Sequence, residues 1–213
     1  MESERLCLGE LTSWFLNAVF PRFCLSCKTE GALLCPACLR AFDDRVFRET
    51  DGHLALFAYG NPAIRNLIRA WKYDFDQSGF STLMKLAEPG HSTIRTFIDK
   101  AVIIPIPLSD LRTRERGFNQ AVVLGEWVAE VSGSEMRELL KRGEAKGHQA
   151  ERTEEERKRA MEKSPFLLKG GKVPEKIVLV DDVWTTGSTM RAAERTLKEG
   201  GVKEVKFLTI AKG

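Results

Sequence analysis

The chain has 213 residues, of which 43% are hydrophobic and 30% charged, with a formal net charge of +3. That describes one sizeable globular domain with room for a small appendage, mildly basic and compatible with a polyanionic partner without requiring one. No run approaches about 18 uninterrupted apolar residues, so no transmembrane helix is expected. The acidic opening MESERLCLGE has no basic n-region, so the expected location is the cytoplasm.

In chain order, residues 6–20 carry Leu6, Leu11, Trp14, Phe15, Ala18 and Val19 at mostly helical spacing, which predicts an amphipathic helix from about residue 8 to Pro21. Four of the five cysteines follow in two CxxC pairs, Cys24/Cys27 and Cys35/Cys38, seven residues apart. Each pair lets a tight turn aim two thiolates at one point, and two such knuckles make a tetrahedral shell for structural zinc. Iron–sulfur ligation and a redox dithiol are the competing readings. So short a segment cannot bury a core, and metal binding would supply its folding free energy. Cys7, outside the pairs, reads as a small hydrophobe.

The main domain begins after residue 50. HLALFAY (53–59) reads as a strand, and PAIRNLIRAWKY as a helix starting at Pro62 with Ile64, Leu67, Ile68 and Trp71 on its apolar face. Arg65, Arg69 and Lys72 share another face, which is either a solvated basic surface or an anion site. AVIIPIPLSD predicts a buried strand broken by Pro105 and Pro107. The basic stretch LRTRERGFNQ reads as a loop containing Arg112, Arg114, Arg116 and Gly117, ahead of a helix in AVVLGEWVAEV. A basic, glycine-containing loop between a strand and a helix N-terminus suits an anion, and a plain surface loop is the alternative. EMRELLKR and FLL predict short strands on either side of the charged run 141–163, which reads as an excursion from the core. KIVLVDD predicts a buried strand ending on its acid pair, followed by a helix over 188–199 stopped by Gly200–Gly201. EVKFLTIA completes the sheet. Strands alternating with helices make the class α/β with a mainly parallel sheet. The expected segments are 1–21 (helix), 22–50 (cysteine module) and 51–213 (main domain).

The most informative stretch is VLVDDVWTTGST, residues 178–189. Ligands of open parallel sheets bind at the carboxyl ends of strands, where Asp181 and Asp182 are expected. Their carboxylates suit ribose hydroxyls or a divalent cation. Thr185, Thr186, Gly187, Ser188 and Thr189 lead into a helix and suit a phosphate. A simple helix cap would explain one polar residue of this run but not the rest. The chain has neither GxGxxG nor GxxxxGK[ST], so dinucleotide and Walker-type sites lose support.

This stretch resembles the diphosphoribose-binding signature of type I phosphoribosyltransferases. With the four cysteines, IPIPLSDLRTRERGFNQA, the Lys72 of AWKYDF and the basic HQAERTEEERKR, the chain resembles the ComF family over about residues 15–213. The resemblance implies a type I phosphoribosyltransferase fold, a parallel sheet flanked by helices, with a small N-terminal zinc module. It implies that Asp181 and Asp182 meet the ribose of phosphoribosyl pyrophosphate (PRPP) and that Thr185–Thr189 hold its 5′-phosphate. Arg116 and Gly117 would lie near the pyrophosphate, with Mg²⁺ bound chiefly through the substrate's own oxygens. The run 141–163 corresponds to a flexible closing loop. Lys72, Arg116, Arg152 and Arg157 are candidate catalytic residues, and Gln149 and Arg157 match characteristic positions. For competence members the resemblance implies a role in DNA uptake with single-stranded DNA and competence-machinery proteins as partners. A phosphoribosyltransferase acting on an unidentified acceptor is the other reading.

Overall fold

A computed structural model describes residues 21–42, 45–73, 77–143 and 165–213. The helix expected over 8–20, Cys7, Gln149, Arg152 and Arg157 lie outside the described residues. The chain divides into two compact units, 1–44 with 61–86, and 45–60 with 87–213.

In the first unit the cysteine segment makes a tight knuckle: Cys24 N–H donates to Thr29 O (2.8 Å) and Lys28 N–H to Cys24 O (2.9 Å). Cys35 precedes a short helix, α1 (Pro36–Arg40), with proline in its first turn. The second helix, α2 (Pro62–Tyr73), forms as expected. Asn61 Oδ1 accepts from Ala63 N (2.8 Å) and Ile64 N (3.2 Å), which caps its start. Ile64, Leu67, Ile68 and Trp71 are all buried, while Arg65 and Arg69 are exposed. A third helix, α3 (Gln77–Ala87), stacks Phe80 on Trp71 at 4.7 Å. Gly79 permits the close approach, since a Cβ there would lie 2.9 Å from Leu67 O.

The second unit is built on a five-stranded sheet in the order β1-β2-β7-β6-β3. Its strands are β1 (Arg45–Thr50), β2 (His53–Ala58), β3 (Val102–Pro105), β6 (Lys176–Trp184) and β7 (Glu204–Lys212). All neighbours run parallel except the β1–β2 hairpin at one edge. The expected mainly parallel α/β sheet is therefore present, with the C-terminal strand β7 at its centre rather than at a margin. A separate antiparallel pair joins β4 (Leu140–Arg142) to β5 (Phe166–Leu168).

Helices cover both faces. After a 3₁₀ turn over Glu88–Gly90, α4 (His91–Ile98) leads into β3. Two helices follow β3: α5 (Asp110–Arg116) and α6 (Gln120–Ser132). Gly125 of α6 faces the sheet, where a Cβ would make ordinary contact with Val180 Cγ2 (3.4 Å) and Ile103 Cγ2 (3.6 Å) but would crowd Met136 Sδ at 2.7 Å. The other face packs Ile104, Ile177, Leu179 and Phe207 with Met190, Ala193 and Leu197 of the last helix, α7 (Ser188–Glu199).

Two expectations are corrected. LRTRERGFNQ is not all loop: residues 110–116 form α5, although none of its side chains is buried. Local chemistry accounts for it. Ser109 Oγ accepts from Arg112 N at the start, and Gly117 ends the helix in the left-handed region at φ 72°. Nor does β6 stop at the acid pair. It continues through Trp184, because β7 is equally long and pairs with it as far as Lys212.

Candidate anion site and metal centre

β3 ends at Pro105, opposite Val180, whereas β6 runs four residues further beside β7. Asp181 and Asp182 therefore sit where β6 has lost its β3 neighbour, at the carboxyl end of the sheet. Both are partly exposed, and Asp181 Oδ1 accepts from Asp182 N at 2.8 Å. That bond turns one carboxylate oxygen back on the strand and fixes the orientation of the group.

The hydroxyl run follows directly. Thr185, Thr186 and Ser188 are exposed, Thr189 is partly buried, and Gly187 is buried with φ 72°. Thr186 Oγ1 lies 3.1 Å from Ser188 Oγ. Gly187 is the N-cap of α7 and has no side chain to cap it, Thr186 Oγ1 accepts from Ser188 N at 3.4 Å, and no acid occupies the first turn. The first N–H groups of a helix have no intrahelical partner, so twelve residues of helix present donors and a favourable dipole to an anion. The structure thus brings the predicted acid pair and phosphate turn together as consecutive parts of one strand–turn–helix.

Arg116 is the last residue of α5, and its Nη1 donates to Gln120 Oε1 at 3.1 Å. Gln120 is 1% exposed, so the guanidinium is tethered to a buried side chain. Asn119 anchors the same corner: its Oδ1 accepts from Ala121 N (3.0 Å) and its Nδ2 donates to Ile106 O (3.0 Å) just after β3. Lys72 belongs to the first unit, on the last turn of α2.

Sequence reasoning missed what lies behind the turn. The Trp184 indole packs 4.4 Å from the His53 ring and 5.2 Å from that of Phe207, centroid to centroid. The Arg191 guanidinium sits 5.6 Å from the Trp184 ring centroid. His53 Nε2 lies 2.8 Å from Thr209 Oγ1, both residues being buried. Burial, reinforced by the charges of Lys212 and Arg191, pushes the His53 pKa down to about 4, which leaves a neutral ring. A histidine and a threonine inside apolar strands give no local sign of pairing.

The four cysteine sulfurs all lie within 4.8 Å of one another, and Cys27 Sγ is 3.6 Å from Cys35 Sγ. Tetrahedral zinc with Zn–S of about 2.3 Å requires sulfurs about 3.8 Å apart, so the donor set fits that ion. Cys24 is buried and its Sγ accepts from Cys35 N at 3.4 Å. Burial opposes its ionisation, but N–H groups of Cys27, Cys35 and Ser26 outweigh that and bring its pKa to about 6. For Cys38, the Ser26 hydroxyl pulls down while the Cys27 and Cys35 sulfurs push up, and the pKa rises to about 12. Four crowded thiols resist full ionisation without a cation, as a metal centre requires. With four thiolates bound, no position stays open for catalysis. Among the described residues this is the one group of three or more His, Cys, Asp or Glu side chains placed to hold a metal ion.

Residues 140–213 match the family model of the phosphoribosyl transferase domain. The chain is similar to Competence protein ComFC of Streptococcus pneumoniae, 31% identical over 161 residues, covering 75% of this chain and 68% of that protein. It is also similar to Competence protein ComFC of Bacillus subtilis, 34% identical over 63% of this chain and 48% of that protein. Competence protein F of Haemophilus influenzae is 31% identical over 52% of this chain and 49% of its own length. The chain thus spans about half the length of the latter two. Among solved structures, the allosteric regulatory enzyme of purine biosynthesis aligns with TM-score 0.37 at 19% identity, over 58% of this chain and 26% of that one. A purine phosphoribosyltransferase from Pyrococcus horikoshii aligns with TM-score 0.36 at 16% identity, over 59% and 71%.

Proposed function

Because this chain belongs to the ComF family, with a phosphoribosyltransferase domain and a four-cysteine cluster able to hold a metal, we propose that it binds PRPP with Mg²⁺ and handles single-stranded DNA during natural competence. The observation that carries the reading is the strand–turn–helix over residues 176–199. An acid pair at an open strand end leads into a hydroxyl-bearing turn and an acid-free helix N-terminus. In that arrangement the carboxylates of Asp181 and Asp182 accept hydrogen bonds from the ribose diol. The N–H groups and hydroxyls of residues 185–189 hold the 5′-phosphate.

Arg116 and Gly117, at the end of α5, are the proposed pyrophosphate contacts, with the tether to Gln120 holding the guanidinium in place. Mg²⁺ would be bound chiefly through the substrate's own oxygens and would offset their charge. In a transfer reaction the chain's part would be positioning and charge stabilisation of the leaving pyrophosphate. Arg152, Arg157 and Lys72 are further candidates for that role. The cysteine centre is proposed to hold zinc in a structural role. Among the described residues no helix is long and apolar enough to cross a membrane, and the proposed location is the cytoplasm. Within the first unit the exposed Arg65 and Arg69, and within the second the exposed Arg112 and Arg114, each supply cationic surface for a DNA backbone and for competence-machinery partners.

Two measurements test this. Calorimetric titration with PRPP and Mg²⁺ is expected to show binding that Asp181→Asn/Asp182→Asn abolishes; equal binding by the double variant would overturn the site. A gel shift of single-stranded DNA is expected at low salt and to fall steeply as salt rises. No shift at low salt would overturn the DNA role. Release of pyrophosphate above background hydrolysis would favour the other reading, a phosphoribosyltransferase acting on an acceptor.

A further inference from the structure

The turn at residues 185–189 needs something to hold it. Three of its five residues are exposed, and a turn built from hydroxyl residues and one glycine has many conformations of similar energy. The support lies underneath. A Cβ built on Gly187 would fall 2.2 Å from Trp184 Cζ2 and 2.5 Å from Cε2, so the glycine backbone rests directly on the indole. The indole in turn is held on several sides. His53 stacks against it at 4.4 Å and 31°, Phe207 meets it edge-on at 5.2 Å, and Arg191 lies over it at 5.6 Å. His53 cannot drift, because Thr209 Oγ1 holds its Nε2 at 2.8 Å within the sheet. The backbone of Trp184 is fixed as well: its carbonyl accepts from Gly213 N at 3.0 Å, and it pairs with Lys212.

We propose that Trp184, braced by His53, is a positioning residue for anion binding: its indole is a rigid floor that holds the Gly187 turn, and with it the N–H groups at the start of α7, in the ligand-ready arrangement before any ligand arrives. This inference rests on the PRPP-binding reading for its ligand, but not for its geometry. A preformed donor set does not lose conformational freedom on binding, so its affinity for the phosphate is higher than that of a mobile turn. The requirement is for a flat ring of sufficient area at position 184. Phenylalanine supplies part of it and leucine does not. Gly187 is the complementary half, since only a residue without a side chain fits above the ring at this φ.

The experiment has two arms on the full-length protein. In the first, hydrogen exchange is followed without ligand in wild type, Trp184→Leu and Trp184→Phe. Exchange of the amides of residues 186–190 is expected to quicken at least tenfold in Trp184→Leu, with Trp184→Phe in between and the β3 and α6 amides unchanged. Equal exchange in wild type and Trp184→Leu overturns the proposal. So does uniform acceleration across the second unit, which would mark general destabilisation. Should Trp184→Leu fail to fold, Trp184→Phe and His53→Leu carry the same comparison.

In the second arm the same proteins are titrated with PRPP and Mg²⁺. Affinity is expected to fall at least tenfold in Trp184→Leu and to be partly recovered in Trp184→Phe. Wild-type tryptophan fluorescence is expected to change on binding, and Trp184→Phe to lose that change while still binding. Unaltered affinity in Trp184→Leu overturns the positioning role. If wild type does not bind PRPP while the exchange pattern is as expected, the ligand assignment fails and the floor under the turn stands.

Discussion

His53 and Thr209 are joined side chain to side chain at 2.8 Å inside the sheet, although 156 positions separate them in the chain. The pair sits on neighbouring parallel strands, β2 and β7, where burial, reinforced by the charges of Lys212 and Arg191, lowers the His53 pKa to about 4 from an ordinary value of 6.5. Between those values the unfolded chain takes up a proton that the folded chain does not. Stability should therefore fall as pH drops from about 6.5 toward 4 and be fully restored above that window. Urea unfolding midpoints at pH 7 and pH 4.5 are expected to differ less in His53→Gln than in wild type. Identical differences would show that His53 is not the group responsible.

Replacing Gly187 by alanine should damage the anion site more than the fold. The added Cβ meets the Trp184 ring at 2.2 Å, and a φ of 72° is strained for any side chain. A cost of about 1–3 kcal/mol in stability is expected. A loss of PRPP affinity greater than that of Gly133→Ala should accompany it. Gly133 has the same φ but no neighbour within 4 Å of its Cβ, so it isolates the backbone contribution.

The cysteine centre predicts about one zinc per chain by elemental analysis and none in Cys24→Ser/Cys35→Ser. Cobalt substitution should give the visible spectrum of a tetrahedral sulfur site. Iron in place of zinc, with the absorbance of a cluster, would refute the assignment.

Asn119 holds the corner between β3 and α6 through two 3.0 Å hydrogen bonds, one to Ala121 N and one to Ile106 O. Asn119→Ala removes a helix cap and an inter-element tie, and should lower stability by about 1–2 kcal/mol in chemical denaturation. Asn119→Asp keeps the cap but cannot donate to Ile106 O, and should recover only part of the loss. Full recovery would show that the tie to β3 contributes nothing.

Legibility followed locality. The α2 helix was readable because Ile64, Leu67, Ile68 and Trp71 repeat at helical spacing and are all buried. α5 was not, because a helix with no buried side chain has no apolar period. Only its caps, Ser109 and Gly117, betray it. Residue types alone placed Asp181 and Asp182 near the end of β6. The strand's two-residue extension past Asp182 depended on the length of its partner β7.

The sequence by itself determined the chemistry that is contiguous in the chain: two CxxC knuckles, an acid pair, and a hydroxyl turn ahead of a helix. Only the tertiary structure decided that β7 lies at the centre of the sheet, that β3 stops short and opens the acid pair, and that His53 and Phe207 support Trp184 beneath the turn. The physical reason is that parallel strands must pair across long connections. Any strand of suitable apolar pattern could sit beside β6, and the packed whole selects the one that does.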